Sequence, residues 1–302
     1  MKKVSENLAH LRTINIIELE NEIDVSLKFG FSLTNEPIEN ESWWIIFHAV
    51  HRIDISKGKP FVARILPLDS FDQQTLDYLL HDGLRILKYC CHFHHLHLPT
   101  LYEIMRFHNK VYIFEEMLIY KSLAQIIIES GPINESTARL WCKQIVTALD
   151  FLHDIGIAHN NLSVLSVFFG VDNLVKITGL EHACVYWNSV EKKMQLQRKS
   201  KCEIKESAPE VICSYFYDPT KADIWNFAVL LICILLGHYP FINDKNSTFE
   251  DEWKNTRDKI FKTVSAECFQ LLCECLQLEP NARLTTKQIL QHAWFVDFVD
   301  VQ

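Results

Sequence analysis

The stretch Gly156–Phe169, GIAHNNLSVLSVFF, has the build of a loop that holds a catalytic carboxylate. An apolar lead-in is followed by His159, a short polar segment and a β-type apolar run. A carboxylate there could take the proton of an attacking hydroxyl, a general-base role worth ~10²–10⁴-fold in rate. Yet the stretch contains no Asp or Glu; Asn160, Asn161, Ser163 and Ser166 supply its polar groups. A second candidate is CCHFHHLH, Cys90 to His97, which places six metal-ligand types in eight residues. Zinc would suit them, but the spacing fits no common finger and no matching pair follows. The cluster reads as a connection carrying buried thiols and imidazoles.

The elements that must position these residues change character along the chain. Five β-like runs occupy the first part: DVSLKFGFSL, SWWIIFHAV, KPFVARIL, TLYEIMRF and KVYIFEEML. Between the third and fourth, Leu76, Leu79, Leu80, Leu84 and Leu87 recur at helical spacing. From Ser122 the period turns helical. Asn134 and Glu135 give start signals, Leu140, Trp141, Ile145, Leu149 and Leu152 the apolar positions, and Gly156 the stop. Two short β runs, SVFFG and LVKITG, flank the turn at Asp172 and Asn173, and the pattern beyond Ala208 is helical.

The 302 residues suffice for one sizeable domain or two lobes with real cores. Thirty Lys and Arg against 38 Asp and Glu give a net charge of −8, which argues against a general nucleic-acid or acidic-membrane binder. The N-terminal residues lack the continuous apolar core of a secretory signal. The apolar run Phe227–Gly237 is too short for a bilayer and reads as a buried helix. Ten cysteines without a signal or regular framework suit reduced thiols, hence a cytoplasmic or nuclear protein.

From roughly residue 26 to 298 the sequence resembles the eukaryotic protein kinase catalytic domain. NKVYIFEEML resembles the fifth strand and hinge, and ESTARLWCKQIVTALDFLHDIGIAH the helix leading to the catalytic loop. SAPEVI, KADIWNFAVLLICILLGHYPF and EPNARLTTKQILQHAWF resemble the A-P-E segment, the core helix and the closing helices. The larger lobe is most similar to calmodulin-kinase-like and testis-specific serine kinases. The resemblance implies an α+β, bilobal fold: a small antiparallel β-sheet N-lobe with one main helix (26–116), a hinge (116–121) and a larger, mainly α C-lobe (122–302). Residues 1–25 are set apart as an extension.

The resemblance also says where phosphoryl-transfer groups belong. In the Gly-rich loop over the phosphates, Glu39, Glu41 and Trp44 stand where glycines are expected. A carboxylate ~4 Å from a phosphate charge would repel it by about 4 kcal/mol at an effective dielectric of ~20. Arg64 replaces the third-strand Lys, and its Glu partner falls at Gly83. In HNNLSVLS, Asn161 replaces the catalytic Asp, Ser163 the Lys on the transferring phosphate and Ser166 the metal-binding Asn. The D-F-G Asp falls at Gly179, with Glu181 two positions on. Similar losses occur in STRAD-type adaptor pseudokinases. Val62, Glu115, Glu116 and Leu118 are remnants of the nucleotide pocket. Support of the fold is kept in His159, Glu210, Asp223 and Arg283.

The expected function is therefore an inactive serine/threonine kinase-like protein, a pseudokinase. It would act by protein binding, as scaffold or allosteric regulator of a partner such as an active kinase. No metal site, magnesium or resident cofactor is expected: Arg64 favours ATP, while the acidic loop, Glu115 and Gly179 oppose it. The other reading is an atypical active protein kinase, or another ATP-dependent transferase, in which Glu39, Glu41, Glu115 or Glu181 has taken over metal or base duties. Asn160 replaces the Arg that would read activation-loop phosphate. The basic segment Lys192–Lys205 is a solvated loop or a docking surface; neither nucleic acid nor membrane is an expected partner.

Overall fold

The computed structural model describes residues 14–21, 25, 28–40, 44–53, 60–119, 121–188, 192–198, 207–241 and 249–296. Its first lobe is built on a seven-stranded sheet. Strand β5 (Phe61–Pro67) lies between β4 (Ile45–His51) and β7 (Lys110–Glu116), and β6 (Leu101–Phe107) pairs with β7. On the other side β2 (Phe31–Leu33) and β3 (Glu39–Asn40) both pair with β4. These pairings are antiparallel. The strand β1 (Ile17–Glu18) runs parallel to β6, and the Leu19 N–H donates to Arg106 O at 2.8 Å. Residues 17–19, within the segment set apart as an extension, thus belong to the sheet. An edge strand's open N–H and C=O groups favour such an addition.

Alternation along β5 decides what faces the cleft. Phe61, Ala63 and Ile65 join one cluster with Phe31, Met105 and Phe114, and the Phe31 and Phe114 rings stack at 3.9 Å. Arg64 and Leu66 therefore point to the other face, where Leu66 joins the main core. That face packs the long helix of this lobe. Asp72 caps it by accepting the N–H groups of Gln74 and Thr75; it runs as α1 (Gln73–Tyr78), a widened π-turn (Leu79–Gly83) and α2 (Leu84–His92).

The second lobe is mainly helical, with α3 (Leu123–Ser130), α4 (Glu135–Asp154), α5 (Pro209–Cys213) and α6 (Pro219–Leu236). After these come α7 (Phe249–Phe261), α8 (Ala266–Cys275), α9 (Thr286–Leu290) and α10 (Ala293–Val296). Helix α4 starts at an Asn134 cap and buries Ala138, Cys142, Ile145, Leu149 and Leu152. Leu140, expected on its apolar face, is exposed instead. The i, i+3, i+4 stripe is set by Ala138 and Cys142, which places Leu140 on the outer side. Helix α6 is long and apolar enough to cross a membrane by composition, but is 78% buried inside this lobe.

The Cys90–His97 cluster separates into different environments. Cys90 and Cys91 are buried in the core, His95 stacks on Phe151 at 4.6 Å, and His97 Nδ1 lies 3.0 Å from Val175 O. Burial lowers the pKa of His95 to about 4. No group of three metal-ligand side chains converges among the described residues.

Candidate functional site

The loop after α4 is suspended from one carboxylate. Asp223, wholly buried at the start of α6, accepts the N–H groups of His159 and Asn160, each at 2.8 Å, and faces His153 Nε2 at 2.9 Å. His159 Nδ1 accepts the Asn161 N–H at 3.3 Å, so Nε2 is the nitrogen that donates to Thr178 O at 2.9 Å. Burial lowers the His159 pKa, which keeps the ring neutral. Asp223 and His159 therefore fix the loop's backbone.

Ser163 and Ser166 are satisfied within the loop itself. The Ser163 N–H donates to Ser166 Oγ at 2.9 Å, and the Ser166 hydroxyl donates to Ser163 O at 3.0 Å. Both residues are buried. Gly179 follows β11 (Val175–Ile177) with φ +85°, a conformation that L side chains avoid. A Cβ there would lie 3.7 Å from Asn161 Nδ2 and 3.8 Å from Ser166 Cβ. Asn161, Ser166 and Gly179 thus meet at one point, and none of them brings a charge.

Asn160 has φ +61°, which Asn tolerates better than most residues. Its Oδ1 accepts the Tyr217 hydroxyl at 2.7 Å. A neutral hydrogen bond thus anchors the position where the kinase resemblance expects a phosphate-reading Arg. Tyr217→Phe should lower stability by about 1 kcal/mol, as for one net hydrogen bond, measured by urea unfolding. A loss below ~0.3 kcal/mol would deny the anchor its role.

Across the cleft, Arg64 holds two acids. Its Nε lies 2.8 Å from Glu115 Oε1, and its Nη1 lies 2.7 Å from Glu181 Oε1. The three side chains are 10–13% exposed, so solvent screens them little. The register Arg64↔Ile113 and Val62↔Glu115 puts Glu115 diagonal to Arg64 on the same face. Burial by itself would raise the Glu181 carboxyl, but the Arg64 charge, then His182 and hydrogen bonds, outweigh it and hold the pKa at about 2. Glu115 moves the other way: burial raises it more than Arg64 lowers it. One cation between two carboxylates accounts for the split, with the proton of the coupled set residing on Glu115 first.

Gly83 makes this arrangement fit. A Cβ at Gly83 would lie 2.3 Å from the backbone oxygen of Glu181. The helix and the segment after Gly179 are packed against one another where a helix Glu would stand. Trp44 packs against the main core with its indole Nε1 buried, and Val62 is buried on β5. Glu116 faces inward and pairs with Lys176 at 3.0 Å while accepting the Thr100 N–H at 3.0 Å. Leu118 opens β8 (Leu118–Ile119), which pairs with β10 (Val167–Gly170). Glu39 begins β3, and Glu41 lies outside the described residues.

Glu210 and Arg283 stand apart from the cleft. Arg283 Nη1 and Nη2 meet Glu210 Oε1 and Oε2 at 2.6 and 2.7 Å, Nε donates to Gln277 O, and the guanidinium lies 4.8 Å over Trp225. The pair ties α5 to the closing helices. Sequence reasoning missed Lys176 and Tyr217; a lone lysine inside the apolar run LVKI was the signal for the first. Of the basic segment, Lys192 and Lys193 are exposed, Arg198 lies in β15 (Gln197–Arg198), and Lys199, Lys201 and Lys205 lie outside the described residues.

The protein kinase domain model matches residues 49–295. A serine/threonine-protein kinase, kin-29 of Caenorhabditis elegans, is 30% identical over 253 residues, 84% of this chain and 30% of that protein. CBL-interacting protein kinase 3 of Oryza sativa subsp. japonica is 27% identical over 202 residues, 67% of this chain and 45% of that protein. The maternal embryonic leucine zipper kinase of Xenopus tropicalis is 26% identical over 202 residues, 67% of this chain and 30% of that protein. The chain therefore spans less than half the length of these relatives. With two lobes, a catalytic-type loop hung from Asp223 and a match over most of its length, this chain belongs to the eukaryotic protein kinase domain family.

Proposed function

We propose that this chain is a pseudokinase: it does not transfer phosphate and works by binding another protein, as scaffold or allosteric regulator of a signalling partner such as an active kinase. The observation that carries this reading is the bridge from Arg64 to both Glu115 and Glu181. Phosphoryl transfer is positioned charge and little else. Here the cation that would meet the nucleotide is engaged by the protein's own acids. Those acids are also two of the four candidates for relocated metal or base duties, and Arg64 holds both. Gly179, Asn161 and Ser166 converge without a carboxylate, so no charged magnesium ligand stands at that point.

Thermal-shift titration with ATP, alone and with magnesium or manganese, tests the reading. A ligand at 100 times its Kd stabilises by ~2.7 kcal/mol, a rise of several degrees in Tm. No rise is expected at millimolar nucleotide. A magnesium-dependent rise together with phosphorylation of a generic substrate, abolished by Asn161→Ala, would overturn it.

A further inference from the structure

The segment between the catalytic-type loop and α6 carries an apolar surface that the cleft does not use. Strand β15 pairs with β16 (Phe216–Tyr217) in the register Gln197↔Tyr217 and Arg198↔Phe216. Side chains alternate along such a ribbon, and those at i and j±2 share a face. Tyr217 points inward, buried and bonded to Asn160. Phe216 therefore points outward and is 53% exposed. Leu196, diagonal to it across the ribbon, is 54% exposed. The Tyr215 ring meets Phe216 edge-on at 4.9 Å and is itself 60% exposed. Ile212, near the end of the adjoining α5, is also exposed. Single exposed apolar residues are ordinary, but two aromatics and two aliphatics on one ribbon and its flank are a patch.

The surroundings select the occupant. The described residues 192–198, KKMQLQR, hold Lys192, Lys193 and Arg198 and no acid, a local +3 in a chain of net −8. Lys192 and Lys193 are exposed at the start of the strand β14 (Lys193–Met194) that leads into Leu196. Two carboxylates close in sequence to β16 are engaged, Glu210 by Arg283 and Asp218 by the N–H and hydroxyl of Thr220. We infer that this ribbon docks an acidic segment of a partner protein that carries aromatic or branched apolar side chains. The apolar face buries those side chains, and the basic flank attracts the acids and orients the segment. The inference deepens the reading of the chain as a binding protein, and it does not depend on whether the cleft takes nucleotide.

The probe is a fluorescently labelled random copolymer of Glu and Tyr, followed by anisotropy at low salt. Binding is expected, weakened at least tenfold in the Leu196→Ser, Phe216→Ala double variant and weakened by 0.5 M salt. Polyglutamate alone should bind at least tenfold more weakly than the copolymer. Because the altered side chains are exposed, the double variant should keep the wild-type Tm, which shows that it folds. An Ile53→Ser variant, altering an exposed apolar residue of the first lobe, should bind as wild type. Equal binding by the double variant and wild type, or no binding by wild type, overturns the inference. So does a wild-type dimer that the double variant abolishes, since the face would then serve a second copy. Magnesium–ATP stabilisation with intact copolymer binding would instead defeat only the reading of the cleft.

Discussion

Replacing Arg64 with methionine should destabilise the folded chain by about 3–5 kcal/mol at neutral pH, the cost of leaving buried charge without its partner. Methionine keeps most of the side-chain volume, so the loss reports charge rather than a cavity. Glu115 and Glu181 would face one another with no cation between them. The pH dependence separates this from any generic damage. In the wild type, Glu181 is held at about 2, below its ordinary 4.5. Its contribution is fully present above pH 4.5 and is lost as pH falls from there toward 2. Glu115, raised by burial, opposes that trend in part.

In the variant both carboxyls lose the charge that lowers them, and burial raises both above 4.5. A raised acid costs stability as pH rises through the neutral range. The deficit of Arg64→Met should therefore be largest near pH 7.5 and shrink as pH approaches 4.5. Urea unfolding of both proteins at pH 7.5 and 5 measures it. A deficit below ~1 kcal/mol, or one equal at both pH values, would mean that the bridge does not hold the cleft together.

Gly83→Glu, the change that would supply the helix acid expected from the kinase resemblance, should be worse tolerated still. Its Cβ alone would sit 2.3 Å from the Glu181 carbonyl oxygen, well inside contact distance and against backbone. Inserting one carbon into a packed core costs roughly 1–3 kcal/mol, against ~1 kcal/mol recovered by removing glycine from a helix. A full carboxylate must in addition be buried beside Glu181, so a loss above ~4 kcal/mol is expected, with little folded protein recovered. Gly83→Ala serves as the milder comparison, read by Tm. Wild-type stability in Gly83→Glu would show that the helix moves freely away from Glu181, and the reason given for the missing acid would fail.

These two expectations stand differently toward the sequence. The absence of charge at Asn161, Ser163, Ser166 and Gly179 was legible from residue types in order, because family motifs are short and local. The β-rich first part and helical second part were legible too, since periods of 2 and 3.6 are written in the apolar residues. Leu140 was misplaced because several apolar residues of α4 compete for one stripe, and only packing chooses among them. The strand at Ile17–Glu18 escaped notice because two residues carry no period; it exists through the open edge of β6.

By itself, the amino-acid sequence determined the lobes, the order of the motifs and the uncharged residue types at Asn161, Ser163, Ser166 and Gly179. Those are properties of composition and spacing along the chain. Only the tertiary structure decided what the remaining charges do. Arg64, Glu115 and Glu181 are separated by up to 117 positions, and their union depends on a strand face, a diagonal register and a glycine through which backbone can pass close. Coulomb attraction becomes strong when burial removes water from between charges, and burial is a property of the folded whole.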